Sequence, residues 1–138
     1  MLRRCIQFIA GLLLLSLISG CDRQLQPDRV VAERVVVLGD LQLKISPGHI
    51  PVETLLTMQL HSQQPLTQVS GELTGVSMYM GRIPLRFSRD AGTGVWQTNF
   101  MLGACSDPKM TWRLTLHLTN SQGQSEQRVT EFQSSWRE

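Results

Sequence analysis

Little in this sequence reads as catalytic chemistry. It carries no Gly-x-Ser-x-Gly nucleophile elbow, no glycine-rich phosphate loop and no His-Glu-x-x-His signature. Its histidines, His49, His61 and His117, are scattered, and paired carboxylates at a useful spacing are missing. An enzyme is not expected. A dominant charge is lacking too. Once Arg3 and Arg4 are set aside, 11 Lys and Arg balance 11 Asp and Glu, which disfavours a nucleic-acid binder and an acidic disordered tail. Long apolar runs stop at Ile18. The run from Ile6 to Ile18 falls short of the about 20 residues that a membrane-crossing helix needs. Beyond it there is no amphipathic helical pattern, no internal repeat and no low-complexity tract.

What is present at the start is an address. Arg3 and Arg4 precede the apolar run around Leu12-Leu13-Leu14-Leu15, and Ser19 and Gly20 lead to Cys21. Residues 1–20 therefore read as a signal peptide. Ile18-Ser19-Gly20-Cys21 looks like a bacterial lipobox, in which Cys21 is acylated and becomes the first residue of the mature lipoprotein. Several acyl chains on one residue give stable anchoring, where one chain is marginal. The mature chain is then expected on the periplasmic side of a bacterial membrane, and Asp22 favours the inner one. Residues 21–29, polar and containing Pro27, form the lipidated Cys and its tether. Residues 30–138 form one domain, with enough of the chain's 41% hydrophobic residues for a core.

Disulfide pairing is absent by count. Cys5 leaves with the signal, Cys21 takes the lipid, and Cys105 stays alone in an oxidising compartment. A thiol redox role would need a resolving cysteine, which the mature chain lacks.

The domain itself reads as β throughout. Residues 41–45 alternate and end at Pro47-Gly48. Residues 52–61 alternate with Val52, Thr54, Leu56, Met58 and Leu60 on one face. Residues 69–80 are β-rich but interrupted by Gly71 and Gly75, which suggests a bulge or two short strands. Residues 83–87 alternate, and Asp90 to Gly94 form a hairpin turn. Residues 95–102 place Trp96, Thr98, Phe100 and Leu102 together. Residues 110–118 set Trp112, Leu114, Leu116 and Leu118 inward, with Arg113, Thr115 and His117 outward. Asn120 to Gly123 turn the chain into a last strand near 127–133. About seven short strands, with turn signals every 8–12 residues, predict an all-β fold: an immunoglobulin-like antiparallel β-sandwich anchored by Trp96 and Trp112. A small closed barrel is the competing architecture.

Sulfur is the one concentration of chemistry. Met78-Tyr79-Met80-Gly81 is followed by Cys105 and Met110. On a strand, Met78 and Met80 would share a face about 7 Å apart. Thioether and thiolate sulfurs are soft donors that favour copper(I) over hard cations. Met78, Met80, Cys105 and Met110 are the candidate ligands, with His49 or His61 as a reserve nitrogen donor. The competing reading is packing, because Met and Cys are common core residues. Met58 and Met101 are assigned to the core outright.

The stretch from Gly75 through Met78-Tyr79-Met80-Gly81, Ile83-Pro84-Leu85, the strand near Gly94 to Phe100 and Trp112-Arg113-Leu114-Thr115-Leu116 resembles FixH-like and YtkA-like small domains. The resemblance covers roughly residues 50–120. It implies a sandwich outside the inner membrane, linked to copper supply or cytochrome oxidase assembly. This chain departs from it in having a lipobox instead of a transmembrane anchor, and Cys105-Ser106-Asp107-Pro108 before the Trp112 strand. The expected function is therefore a membrane-anchored, copper(I)-binding lipoprotein. The alternative is a binding module without metal, such as a pilotin or assembly chaperone, pairing with a partner protein in secretion or assembly through a sheet edge.

Overall fold

The computed structural model describes residues 32–136. The expected signal peptide, the candidate lipidation site Cys21 and the expected tether lie outside the described residues. Nine strands follow one another: β1 (Arg34–Leu38), β2 (Leu41–Ser46), β3 (Leu56–Ser62), β4 (Leu66–Gly75), β5 (Arg82–Arg86), β6 (Ser88–Arg89), β7 (Trp96–Phe100), β8 (Thr111–Asn120) and β9 (Ser125–Gln133). They form two antiparallel sheets, ordered β1-β2-β3-β7-β6 and β5-β4-β8-β9. The all-β expectation holds, and the strand count rises from seven to nine.

Alternation explains the layers. Leu41, Leu43 and Ile45 of β2 and Leu56, Met58 and Leu60 of β3 are buried from one sheet; Trp112, Leu114, Leu116 and Leu118 of β8 are buried from the other. Successive side chains on a strand point to opposite faces, so Arg113 and His117 face outward, as expected. Trp112 is fully buried, and its indole Nε1 donates to Ser134 Oγ at 3.2 Å, so its one polar atom is satisfied. Trp96 is only half-buried at the edge of the core, a weaker anchor than its sequence position suggests.

Several strand limits depart from the sequence pattern. The two additional strands escape periodicity for opposite reasons: β1 holds the unbroken run Val35-Val36-Val37, and β6 has two residues. The strand expected from residue 52 begins at Leu56, because Ile50 (φ 51°) and Glu53 (φ 54°) are left-handed and break the extended path. The expected interruption at Gly71 is absent. That glycine sits inside a continuous ten-residue strand, where a Cβ would stand 2.9 Å from the Thr115 carbonyl oxygen of β8. The ladder irregularity lies instead between Leu66 and Gln68.

The registers give the sandwich two unlike ends. At one end, here the turn end, short polar connections join β1 to β2, β3 to β4, β6 to β7 and β8 to β9. At the other, the loop end, lie the longer connections 47–55, 76–81 and 101–110 and the segment after β9. Hydrogen bonds lace these together: Val52 N–H to Ser135 O at 2.9 Å, Ser135 N–H to Ile50 O at 2.9 Å, Glu53 N–H to Leu102 O at 2.8 Å and Ser134 N–H to Met110 O at 3.0 Å.

Candidate functional site

The candidate sulfur residues belong to the loop end. β4 stops at Gly75 and β5 starts at Arg82, so Met78 and Met80 lie in a loop and not on a strand. The expectation that they share a strand face is therefore corrected. Two glycines bound this loop. At Gly75 a Cβ would run into the Met78 carbonyl and the Met110 methyl group, so only glycine lets the chain fold back there. Gly81, at φ 74°, supplies the left-handed step into β5.

This loop is fastened to the start of β8. Val76 N–H donates to Thr111 O at 2.9 Å, and Thr111 N–H donates to Ser77 Oγ at 2.9 Å. The fastening brings residues 76–81 beside the loop that carries Cys105. Cys105 is half-buried and packs against the core with Met80, while Met110 is 1% exposed. Cys105 Sγ lies 3.2 Å from Met110 Sδ and 3.4 Å from Asp107 O. The thiol has one hydrogen, so it can serve only one of these acceptors at a time. Met80 reaches over the same loop: a Cβ on Gly103 would stand 3.4 Å from Met80 Cε. Met78 is different. It is 42% exposed and its side chain stands outside this packing.

Two sulfurs holding one ion at about 2.3 Å in tetrahedral geometry stand about 3.8 Å apart, so the Cys105–Met110 pair needs only a small opening to hold a soft cation. Met80 packs over the loop that carries Cys105, and Met78, which is exposed, would have to swing in from solvent. The reserve nitrogen donors divide. His49 lies in the 47–55 loop at the same end, where its carbonyl accepts from Ser135 Oγ at 2.7 Å. His61 pairs with Gln42 toward the turn end, five residues beyond Leu56, or about 17 Å along the strand, so it cannot join the sulfur pair. Its Nε2 is buried without a hydrogen-bond partner. Among the described residues no three His, Cys, Asp or Glu side chains gather into a cation site. At the turn end, a cleft of about 290 Å³ is lined by Asp40, Gln64, Leu66, Asn120, Gln124 and Glu126. Arg128 lies 3.7 Å from Asp40 and 3.0 Å from Glu126, so both carboxylates already have a cationic partner.

Strand alternation missed the exposed apolar residues that surround the sulfur loops. Leu55, Val76, Tyr79, Met101 and Trp136 are all exposed there, Tyr79 at 89%. Met101, expected in the core, is the exception: it lies between the buried Phe100 and Leu102, and continued alternation turns it outward. The spacing of Gly75 and Gly81 around an uncharged stretch was the available signal for a loop.

No family model matches the chain, and no curated protein matches it. A crystal structure of a DUF4426 family protein from Pseudomonas aeruginosa PAO1 is similar in fold, with a TM-score of 0.51 and 15% identity, covering 77% of this chain and 97% of that one. The resemblance to FixH-like and YtkA-like domains is overturned by this likeness. It rested on short motifs, and Met78-Tyr79-Met80-Gly81 lies in a glycine-bounded loop between β4 and β5.

Proposed function

We propose that this chain is a lipid-anchored, periplasmic copper(I)-binding protein that handles copper at a membrane surface, supply to a membrane oxidase being one form of that role. The observation that carries the reading is the contact of Cys105 Sγ with Met110 Sδ at 3.2 Å, beneath the loop that holds Met80. A thiolate and thioethers suit a soft monovalent ion and discriminate against hard cations. Cys21 provides the anchor. The sandwich is of immunoglobulin-like type in this reading. With β1 set aside, the orders β2-β3-β7-β6 and β5-β4-β8-β9 follow the ABED and C′CFG pattern of that fold.

Copper(I) titration of the purified protein against a chelator tests the proposal. One ion should bind per chain, far more tightly than zinc(II), and Cys105→Ser should weaken binding by more than about tenfold. Met110→Leu should do the same while keeping the fold, because the swap conserves volume and costs less than about 1.5 kcal/mol. Binding should weaken as pH falls, since proton and metal compete for the Cys105 sulfur. Met78→Leu decides whether the exposed thioether joins in. A wild-type affinity no higher than that of Cys105→Ser would end the copper reading.

A binding module without metal is the second reading, and one observation favours it. The outer strand β1 leaves Val35 and Val37 exposed, Val37 at 66%, at a sheet edge with no pairing strand among the described residues.

A further inference from the structure

Among the described residues, six of the nine large hydrophobic side chains that stand exposed lie at the loop end: Leu55, Val76, Met78, Tyr79, Met101 and Trp136. The other three, Val35, Val37 and Val129, are on strands, so the four turns of the opposite end contribute none. Scattered exposed apolar residues need no explanation, but their concentration on one end of a small domain marks an interaction surface. The connection 76–81 adds no charge to it.

Where the chain enters the domain says what covers this end. Arg34 of β1 pairs with Ile45 of β2, and the Gly48 amide donates to the Ala32 carbonyl, so the described chain begins beside the 47–55 loop. The root of the tether is thus at the apolar end. Ten residues separate Cys21 from Ala32, and ten residues span at most about 36 Å. An acylated Cys21 would keep the root of the domain, and so the loop end, within that distance of the bilayer. Tyr79 and Trp136 are of the two residue types enriched where a protein meets the headgroup layer, with an apolar ring and a polar tip.

We infer that the loop end is a membrane-docking surface, with Tyr79, Met101, Leu55 and Trp136 seated in the interface of the bilayer that holds the lipid anchor. The inference rests on the anchor in the proposed function and not on copper. Docking adds a second attachment to the acyl chains and fixes the orientation of the domain. It also turns the Cys105–Met110 pair toward the membrane.

The test uses the mature lipoprotein, reconstituted in phosphatidylethanolamine and phosphatidylglycerol vesicles with and without brominated acyl chains. Bromine quenches tryptophans in contact with the acyl region. Trp136 should be quenched, whereas Trp112 is buried in the core and Trp96 pairs with Leu60 toward the turn end. Trp136→Phe should abolish most of the quenching, and Tyr79→Ser with Met101→Ser should reduce it while leaving the protein on the vesicles. All three side chains are exposed, so these changes do not threaten the core. Protein that floats with vesicles yet shows equal emission in both lipids would overturn the inference and keep the anchor. Equal emission with dimers in sedimentation would assign the surface to a second copy instead. Protein that fails to float would remove the anchor and the inference together. Quenching in a protein without copper affinity would uphold the docking surface and remove only the metal.

Discussion

The two ends of this sandwich are closed by different means. At the turn end the connections β6–β7 and β8–β9 close on their own side chains, while the Gln63 amide donates to the Asp40 carbonyl at 3.1 Å and ties two neighbouring turns together. Asp90 Oδ1 accepts from the Thr93 amide at 2.7 Å, the Thr93 hydroxyl at 2.8 Å and the Gly92 amide at 3.0 Å; Asn120 Oδ1 accepts from the Gln124 amide at 2.9 Å and the Gln122 amide at 3.0 Å. Gly39, Gly94 and Gly123 supply the left-handed residues these turns require. At the loop end local bonds, such as Ile50 N–H to Pro47 O at 3.0 Å and Lys109 N–H to Asp107 Oδ1 at 2.9 Å, are joined by bonds between segments distant in sequence. Residues 50–53 bond to Leu102 and Ser135, Met110 bonds to Ser134, and residues 76–77 bond to Thr111. Short-range closure leaves polar turns facing water, whereas long-range closure leaves longer loops whose apolar side chains are free to meet another surface.

This contrast breaks most decisively at Trp112. It is fully buried near the loop end and joins β8 to the segment after β9 through Ser134. Trp112→Ala should cost about 3–5 kcal/mol in denaturant unfolding, enough to unfold many small domains. His117→Ala, on the outward face of the same strand, should stay within about 0.5 kcal/mol. A reversal of the two would mean that the loop end does not depend on this plug.

A smaller effect is expected at Gly75→Ala. The new methyl group must displace the Met78 carbonyl or the Met110 methyl, and overpacking of this kind costs about 1–3 kcal/mol. Because the same contact seats the loop over Cys105, the variant should also weaken copper(I) binding. A variant with lowered stability and intact copper affinity would separate the loop from the sulfur pair.

The smallest effect belongs to the turn end. Asp90 is held below the ordinary carboxylate range, chiefly by the Thr93 amide, then by the Thr93 hydroxyl and the Gly92 amide. All three hydrogen bonds favour the ionised form. With its folded pKa depressed, Asp90 contributes its full stabilisation above the ordinary aspartate value and loses it as pH falls through the lowered one. Asp90→Ala should speed hydrogen exchange at Gly92 and Thr93 at neutral pH and leave the amides of Val52 and Ser135 unchanged. Spread of the effect to the loop end would show that the two ends are coupled.

How far the sequence could be read follows the same division. The faces of β2 and β8 were legible because every second residue is large and apolar, and the Asp90 and Asn120 turns because their own side chains cap them. The candidate site was legible only as a list of soft donors. Met78 and Met80 read as strand residues because residues 69–80 carry β-forming side chains, and nothing local signals that Gly75 lies under the Met110 methyl group. Met101 is the opposite case: the alternation that turns Phe100 and Leu102 inward turns it outward, so its exposure follows the pattern and its expected place in the core does not.

Composition and periodicity alone determined an all-β domain, its inward residues on the regular strands and its self-capped turns, because these depend on neighbours within a few positions. Tertiary structure decided that Cys105 meets Met110 under the Met80 loop, that Met78 stays exposed, that His61 is remote from the sulfurs, and that the chain enters at the apolar end. Each of these is a contact between segments distant in sequence. Such contacts are set by sheet register and loop packing, which no local pattern of residues encodes.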